Sequence, residues 1–144
     1  MSQYFTMGEE SLWNPSSGAA RLFLRQTAVF EAELGLPSGL GPMDDDECQI
    51  DPVALGAFAH AVLTYHGRTP HAVILALSEG FTATLLVLAQ RAGVEVCWTP
   101  PDHDKDGHLR DAQVSSRPPA SLAAEPKTQG LKVKVRELDQ LMPR

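Results

Sequence analysis

The sequence has 144 residues and a mass of 15.6 kDa, enough for one domain that buries its own core without a disulfide or metal to hold it. Apolar residues at 43% and charged residues at 21% exclude a disordered or fibrous chain. The net charge of −6 is unevenly spread: residues 1–66 carry nine acids and two bases, residues 67–144 nine acids and ten bases, so the first half lacks the Lys and Arg that a phosphate backbone requires.

In chain order, residues 4–7 have the composition of a short strand before Gly8. Asn14 and Pro15 then form a helix start, with Asn as N-cap and Pro at the first helical position. Phe23, Phe30 and Leu34 lie on one stripe of that helix, which Gly35 ends. A Pro- and Gly-containing loop over 36–42 leads into the acidic run Asp44, Asp45, Asp46, Glu47. Asp51 and Pro52 open a second helix, with Leu55, Phe58, Ala59, Val62 and Tyr65 at helical spacing. Thr69 and Pro70 open a third, which runs to about Ala92 and is apolar nearly all round, as an enclosed helix is.

Beyond Gly93 the spacing changes. Val94, Val96 and Trp98 alternate with polar neighbours, which predicts a strand. Residues 100–130 hold five prolines and read as a long loop. Leu131, Val133 and Val135 alternate with Lys132, Lys134 and Arg136, which predicts a one-sided C-terminal strand. The expected fold is α+β: three helices packed on a small, mostly antiparallel sheet, with a Pro-rich long loop before the C-terminal strand. The expected organisation is a core domain over 1–99, the loop over 100–130 and the strand and tail over 131–144.

Tyr4 and Phe5, then Leu12, Trp13, Asn14 and Pro15, then Arg21 to Leu24, followed by Gly35 to Gly39 and the run from Gly41 to Cys48, form a pattern that resembles a family of small actinobacterial proteins of unknown function. The resemblance spans roughly residues 1–95. It implies an actinobacterial, cytoplasmic origin and carries over no catalytic residue.

Several local patterns bear on chemistry. Asp102, Asp104 and Asp106 followed by Gly107 match the opening of an EF-hand-type calcium loop, with His108 next to the turn. The twelfth position, however, is Gln113, where a bidentate Glu is required. Calcium is therefore the one cofactor the sequence suggests, and weakly bound. Glu79 lies in the middle of the third helix. If it faces inward, it becomes a pocket candidate together with His60 and His66; if outward, it extends a polar stripe with Thr82 and Arg91. His60, His66 and Cys48 lack zinc-ligand spacing. No nucleophile elbow, phosphate loop or paired-cysteine motif occurs.

Two cysteines and an N-terminus without a basic, then apolar, signal region predict a reduced cytoplasmic protein. The apolar run over 72–89 reads as a buried helix, because Glu79 sits mid-span. Arg21 and Arg25 are expected to pair with nearby acids. The functional expectation is a non-enzymatic module whose acidic face, Asp44, Asp45, Asp46 and Glu47 with Leu40 and Met43 beside them, engages a basic protein partner. An immunity-type inhibitor of a toxin is one such module. Neither nucleic acid nor membrane is an expected partner. The alternatives are a small enzyme or ligand-binding domain with a pocket between helices and sheet near Glu79, and a weak calcium binder through 102–113.

Overall fold

The computed structural model describes residues 1–98 and 120–144. Strands β1 (Tyr4–Met7) and β2 (Glu10–Trp13) form a hairpin, α1 (Ser17–Leu34) follows, and β3 (Leu40–Asp44) and β4 (Glu47–Ile50) form a second hairpin. Three helices complete the fold: α2 (Pro52–Arg68), α3 (Ala72–Arg91) and α4 (Ala120–Leu141). The sheet order is β2-β1-β4-β3. Its outer pairs are antiparallel and its central pair, β1 with β4, is parallel. The fold is therefore α+β, as the sequence predicts, with two of the three strand pairings antiparallel, but the helices among the described residues number four rather than three.

Both hairpins turn on two residues with backbone suited to the task. Gly8 has φ 62, and Asp45 and Asp46 have φ 45 and 64. Positive φ at both central positions is what a type I′ turn requires, and Asp tolerates it better than most side chains. The loop expected over 36–47 is thus half strand: its acids sit on a β-hairpin. Alternation sets the faces. Phe5, Cys48 and Ile50 turn into the core, while Tyr4, Glu47 and Gln49 remain exposed.

The helix starts were only partly legible. Asp51 caps α2 as expected, its carboxylate accepting from Val53 N and Ala54 N. In α1 the cap is Ser16, two residues beyond the expected cap Asn14, and its hydroxyl accepts from Ala19 N. Asn14 makes no cap: its backbone N–H donates to the Pro143 carbonyl, and its side-chain Oδ1 is buried without a hydrogen-bond partner among the described residues. Helix α3 begins at Ala72 behind His71, which makes no side-chain cap. The expected strand at 94–98 joins no sheet among the described residues. Its alternation is real, since Val94, Val96 and Trp98 pack on the core, but the segment carries no strand pairing. Val94 instead reaches α2 at Gly56, where an added Cβ would come within 2.9 Å of its Cγ1.

The C-terminal strand is also corrected. Leu131 and Val135 are buried, Leu138 is partly buried and Met142 is buried again, at a spacing of four, three and four residues, while Val133 is 44% exposed. That is the period of a helix. Over the five residues 131–135 a spacing of two and a spacing of four coincide, and the longer window decides for α4. The 120–130 part of the expected loop is helical too.

Two features organise the core. A run of aromatic rings crosses it: Phe5 stacks on Trp13 at 5.0 Å, Phe23 meets both edge-on, Phe81 lies 5.4 Å from Phe23 and stacks on Phe30 at 4.7 Å, and Phe30 meets Tyr65. Sheet, α1, α3 and α2 are joined through these contacts. The second feature is Arg91, whose side chain is only 5% exposed. Its Nε donates to Asp139 Oδ1 at 2.9 Å and its Nη1 to the Leu12 carbonyl at 2.7 Å. Its Nη2 donates to the carbonyls of Asp139 and Met142 at 2.8 and 2.9 Å. One guanidinium thus binds α3 to β2 and to the C-terminal end of α4, where the helix dipole favours a cation.

Removing this hub leaves three backbone carbonyls without their donor, while the half-exposed Asp139 carboxylate returns to water. Arg91→Ala is expected to lower unfolding free energy by about 2–4 kcal/mol, and Arg91→Lys, which keeps the charge but not the fork, to recover less than half. Urea unfolding of the two variants measures this; a loss below about 1 kcal/mol for the alanine would contradict it. Gly39 gives a second expectation. It has φ 78, and a Cβ there would lie 2.6 Å from both Asp51 O and Leu55 N. Gly39→Ala should therefore cost more than about 2 kcal/mol, whereas Gly67→Ala, in open space on α2, should raise stability by up to about 1 kcal/mol.

Candidate functional site

The acidic run occupies the β3–β4 hairpin. Asp44 and Glu47 are cross-strand partners and Asp45 and Asp46 form the turn between them. Asp44, Asp45 and Glu47 are exposed and Asp46 half-buried. Like charges facing each other across a ladder repel, so four carboxylates in four residues weaken the hairpin that carries them. Local hydrogen bonds hold the geometry. Thr6 Oγ1 and Gln49 Nε2 both donate to Glu47 Oε1, at 2.7 and 2.6 Å. Gln3 Nε2 donates to Asp46 Oδ1 at 3.3 Å, and the Tyr4 N–H to the Asp46 carbonyl.

Among the described residues no Lys or Arg forms an ion pair with this tip. The ion pairs among the described residues are Arg91 with Asp139, Lys134 with Glu137 and Arg144 with Glu10. Arg21 and Arg25, expected to pair with nearby acids, form no ion pair among the described residues; they line a shallow groove with Met43, Leu24 and Gln3. Leu40 and Met43 are half-buried and pack against the core, so they back the hairpin rather than project from it.

The pocket residues divide. Glu79 is exposed on α3, while the other members of its supposed outward stripe are internal: Thr82 is fully buried with its hydroxyl on the Ser78 carbonyl, and Arg91 is the hub described above. His60 and His66 do line a cavity, of about 80 Å³, with Arg68 of α2, Trp98, and Lys127 and Leu131 of α4. It lies between α2 and α4, with no strand residue in its wall, so the expected place between helices and sheet is not where the histidines meet a cavity. Lys127 fell in the segment read as loop, and its only sequence signal was a cation among apolar residues spaced for a helix.

His66 is the strained member. It is 6% exposed, and its Nδ1 is sealed from solvent with no hydrogen-bond partner among the described residues. Its pKa is lowered from the ordinary 6.5, chiefly because burial disfavours the imidazolium; Glu79 opposes this and Lys127 adds to it. Cys48 is inert: burial pushes its thiol up to about 11, and a thiol protonated at neutral pH is a poor nucleophile. Among the described residues no three His, Cys, Asp or Glu side chains gather as metal ligands. The calcium pattern of Asp102, Asp104, Asp106 and His108 lies outside the described residues. Helix α3 is long and apolar enough to cross a membrane, with mean hydropathy 2.0 over its most apolar window, yet half of that window is buried within the fold.

The His66 shift has a sign. The unfolded chain takes up the proton near pH 6.5 and the folded chain only at lower pH, so stability is complete above 6.5 and falls as pH drops through that value towards the folded pKa. The urea midpoint is expected to drop between pH 7 and 5, and His66→Gln to flatten that part of the drop. An unchanged pH profile in the variant would contradict the assignment.

No curated protein and no solved structure matches the chain. One family does, along residues 1–144, extending beyond the 1–95 span of the sequence resemblance to include α4. The chain belongs to that family, a family of unknown function (DUF6086).

Proposed function

We propose that this protein is a non-enzymatic binding module whose β3–β4 hairpin docks a basic protein partner. The observation that carries this reading is the tip itself, where Asp44, Asp45, Asp46 and Glu47 converge and no Lys or Arg among the described residues pairs with them. Unneutralised charge lowers the stability of the free protein and is recovered when an opposite surface meets it. The exposed Tyr4 stands beside Glu47 in the sheet and supplies the amphipathic contact that interfaces favour. An immunity-type inhibitor of a basic toxin, working in the cytoplasm, is the form of this module that we favour. Two cysteine thiols, one of them buried, suit a reducing compartment.

The turn allows fold and function to be separated. Asn-Gly is the preferred type I′ pair, so Asp45→Asn with Asp46→Gly should raise stability by about 0.5–1 kcal/mol while removing two of the four charges. Against a basic partner retrieved from the native cell, this double variant is expected to bind at least about tenfold more weakly. A variant that is more stable and binds the same partner undiminished would overturn the docking role.

A further inference from the structure

The cavity between α2 and α4 has a chemistry opposite to that of the hairpin. Its wall holds Arg68, Lys127, His60 and His66, and no carboxylate among the described residues. Leu131 and Trp98 supply apolar surface. At about 80 Å³ it exceeds several-fold the roughly 10–15 Å³ that holds one water, so it admits a molecule of a few heavy atoms. Lys127 is held in place: its ammonium donates to the Thr69 carbonyl at 3.0 Å, at the end of α2. An ammonium has three donors, so two remain to meet a ligand.

The buried histidine points to the same class. Its Nδ1 is sealed off without an acceptor, so a proton on that atom would be a stranded donor. We assign the proton to Nε2 on this ground, which makes the ring a hydrogen-bond donor through the one nitrogen that is not sealed. Four potential donors and a short apolar wall fit one kind of molecule. We propose that this cavity binds a small carboxylate with a short hydrocarbon body, its charge held by Lys127 and Arg68 and its chain against Leu131 and Trp98. This site is separate from the hairpin and stands or falls without it.

Butyrate, butyramide and butylammonium test the proposal, because they share a body and differ in charge. Each is titrated into the full-length ¹⁵N-labelled chain while amide shifts are followed. Butyrate is expected to give saturable shifts confined to residues 63–68, 97–98 and 127–131. Butyramide should bind roughly tenfold more weakly, and butylammonium not at all. Lys127→Met should weaken butyrate roughly fivefold and leave butyramide unchanged. Because Lys127 also ties down Thr69, Arg68→Gln serves as the second variant, with the same selective loss expected. Equal binding of butyrate and butyramide, preference for butylammonium, or shifts scattered over the surface without saturation would each overturn the assignment.

Discussion

A guanidinium removed from water must find partners for its donors, and Arg91 places four hydrogen bonds on two parts of the chain that are distant in sequence: Leu12 on β2, and Asp139 and Met142 at the end of α4. Burial makes this arrangement demanding. A misplaced carbonyl would leave a charged donor unsatisfied in a poorly hydrated site, which costs more than a well-made bond contributes. The contact therefore fixes where α4 ends relative to the sheet, and the Asn14 N–H on the Pro143 carbonyl continues the same seam. With α4 set against α3, Leu131 and Lys127 are brought opposite α2, and the cavity around His66 exists as a consequence.

Charge that is segregated in the sequence becomes segregated in space. Four of the nine acids of the first half meet on the β3–β4 hairpin, and four of the ten bases of the second half, Lys127, Lys132, Lys134 and Arg136, follow one another along α4. Lys132 lies over the Trp98 ring at 5.4 Å, a cation–π contact that helps hold the 94–98 segment against α4. The hairpin and α4 have little means of neutralising one another, since the ion pairs seen run between other residues.

Much of the helical part was legible because its signals are local. Asp51 before Pro52 marks the start of α2 and Gly35 the end of α1, whereas the apolar circumference of α3 corresponds to enclosure only in its second half, with Val73 and Leu77 exposed nearer its start. What failed depended on distant partners. The strand at 94–98 has the right alternation and no neighbour to pair with, because the sheet edge lies elsewhere; α4 was misread because five residues cannot separate a period of two from a period of four. The acidic run was recognised as a charge feature, but its hairpin rests on two consecutive Asp residues with positive φ, which sequence preferences for Asn-Gly do not suggest. Arg91 was hardest of all. In the sequence it reads as part of an outward polar stripe with Glu79 and Thr82, and only the carbonyls that converge on it show otherwise.

The central claim is that the hairpin's exposed charge attracts a basic partner, and the most direct measurement is the salt dependence of association. Stopped-flow mixing of this protein with its retrieved partner, at ionic strengths from about 0.01 to 0.5 M where the Debye length shrinks from about 30 Å to below 5 Å, separates attraction at a distance from contact at close range. The account predicts an association rate constant that falls steeply as salt rises while the dissociation rate changes little. An association rate indifferent to salt would contradict it.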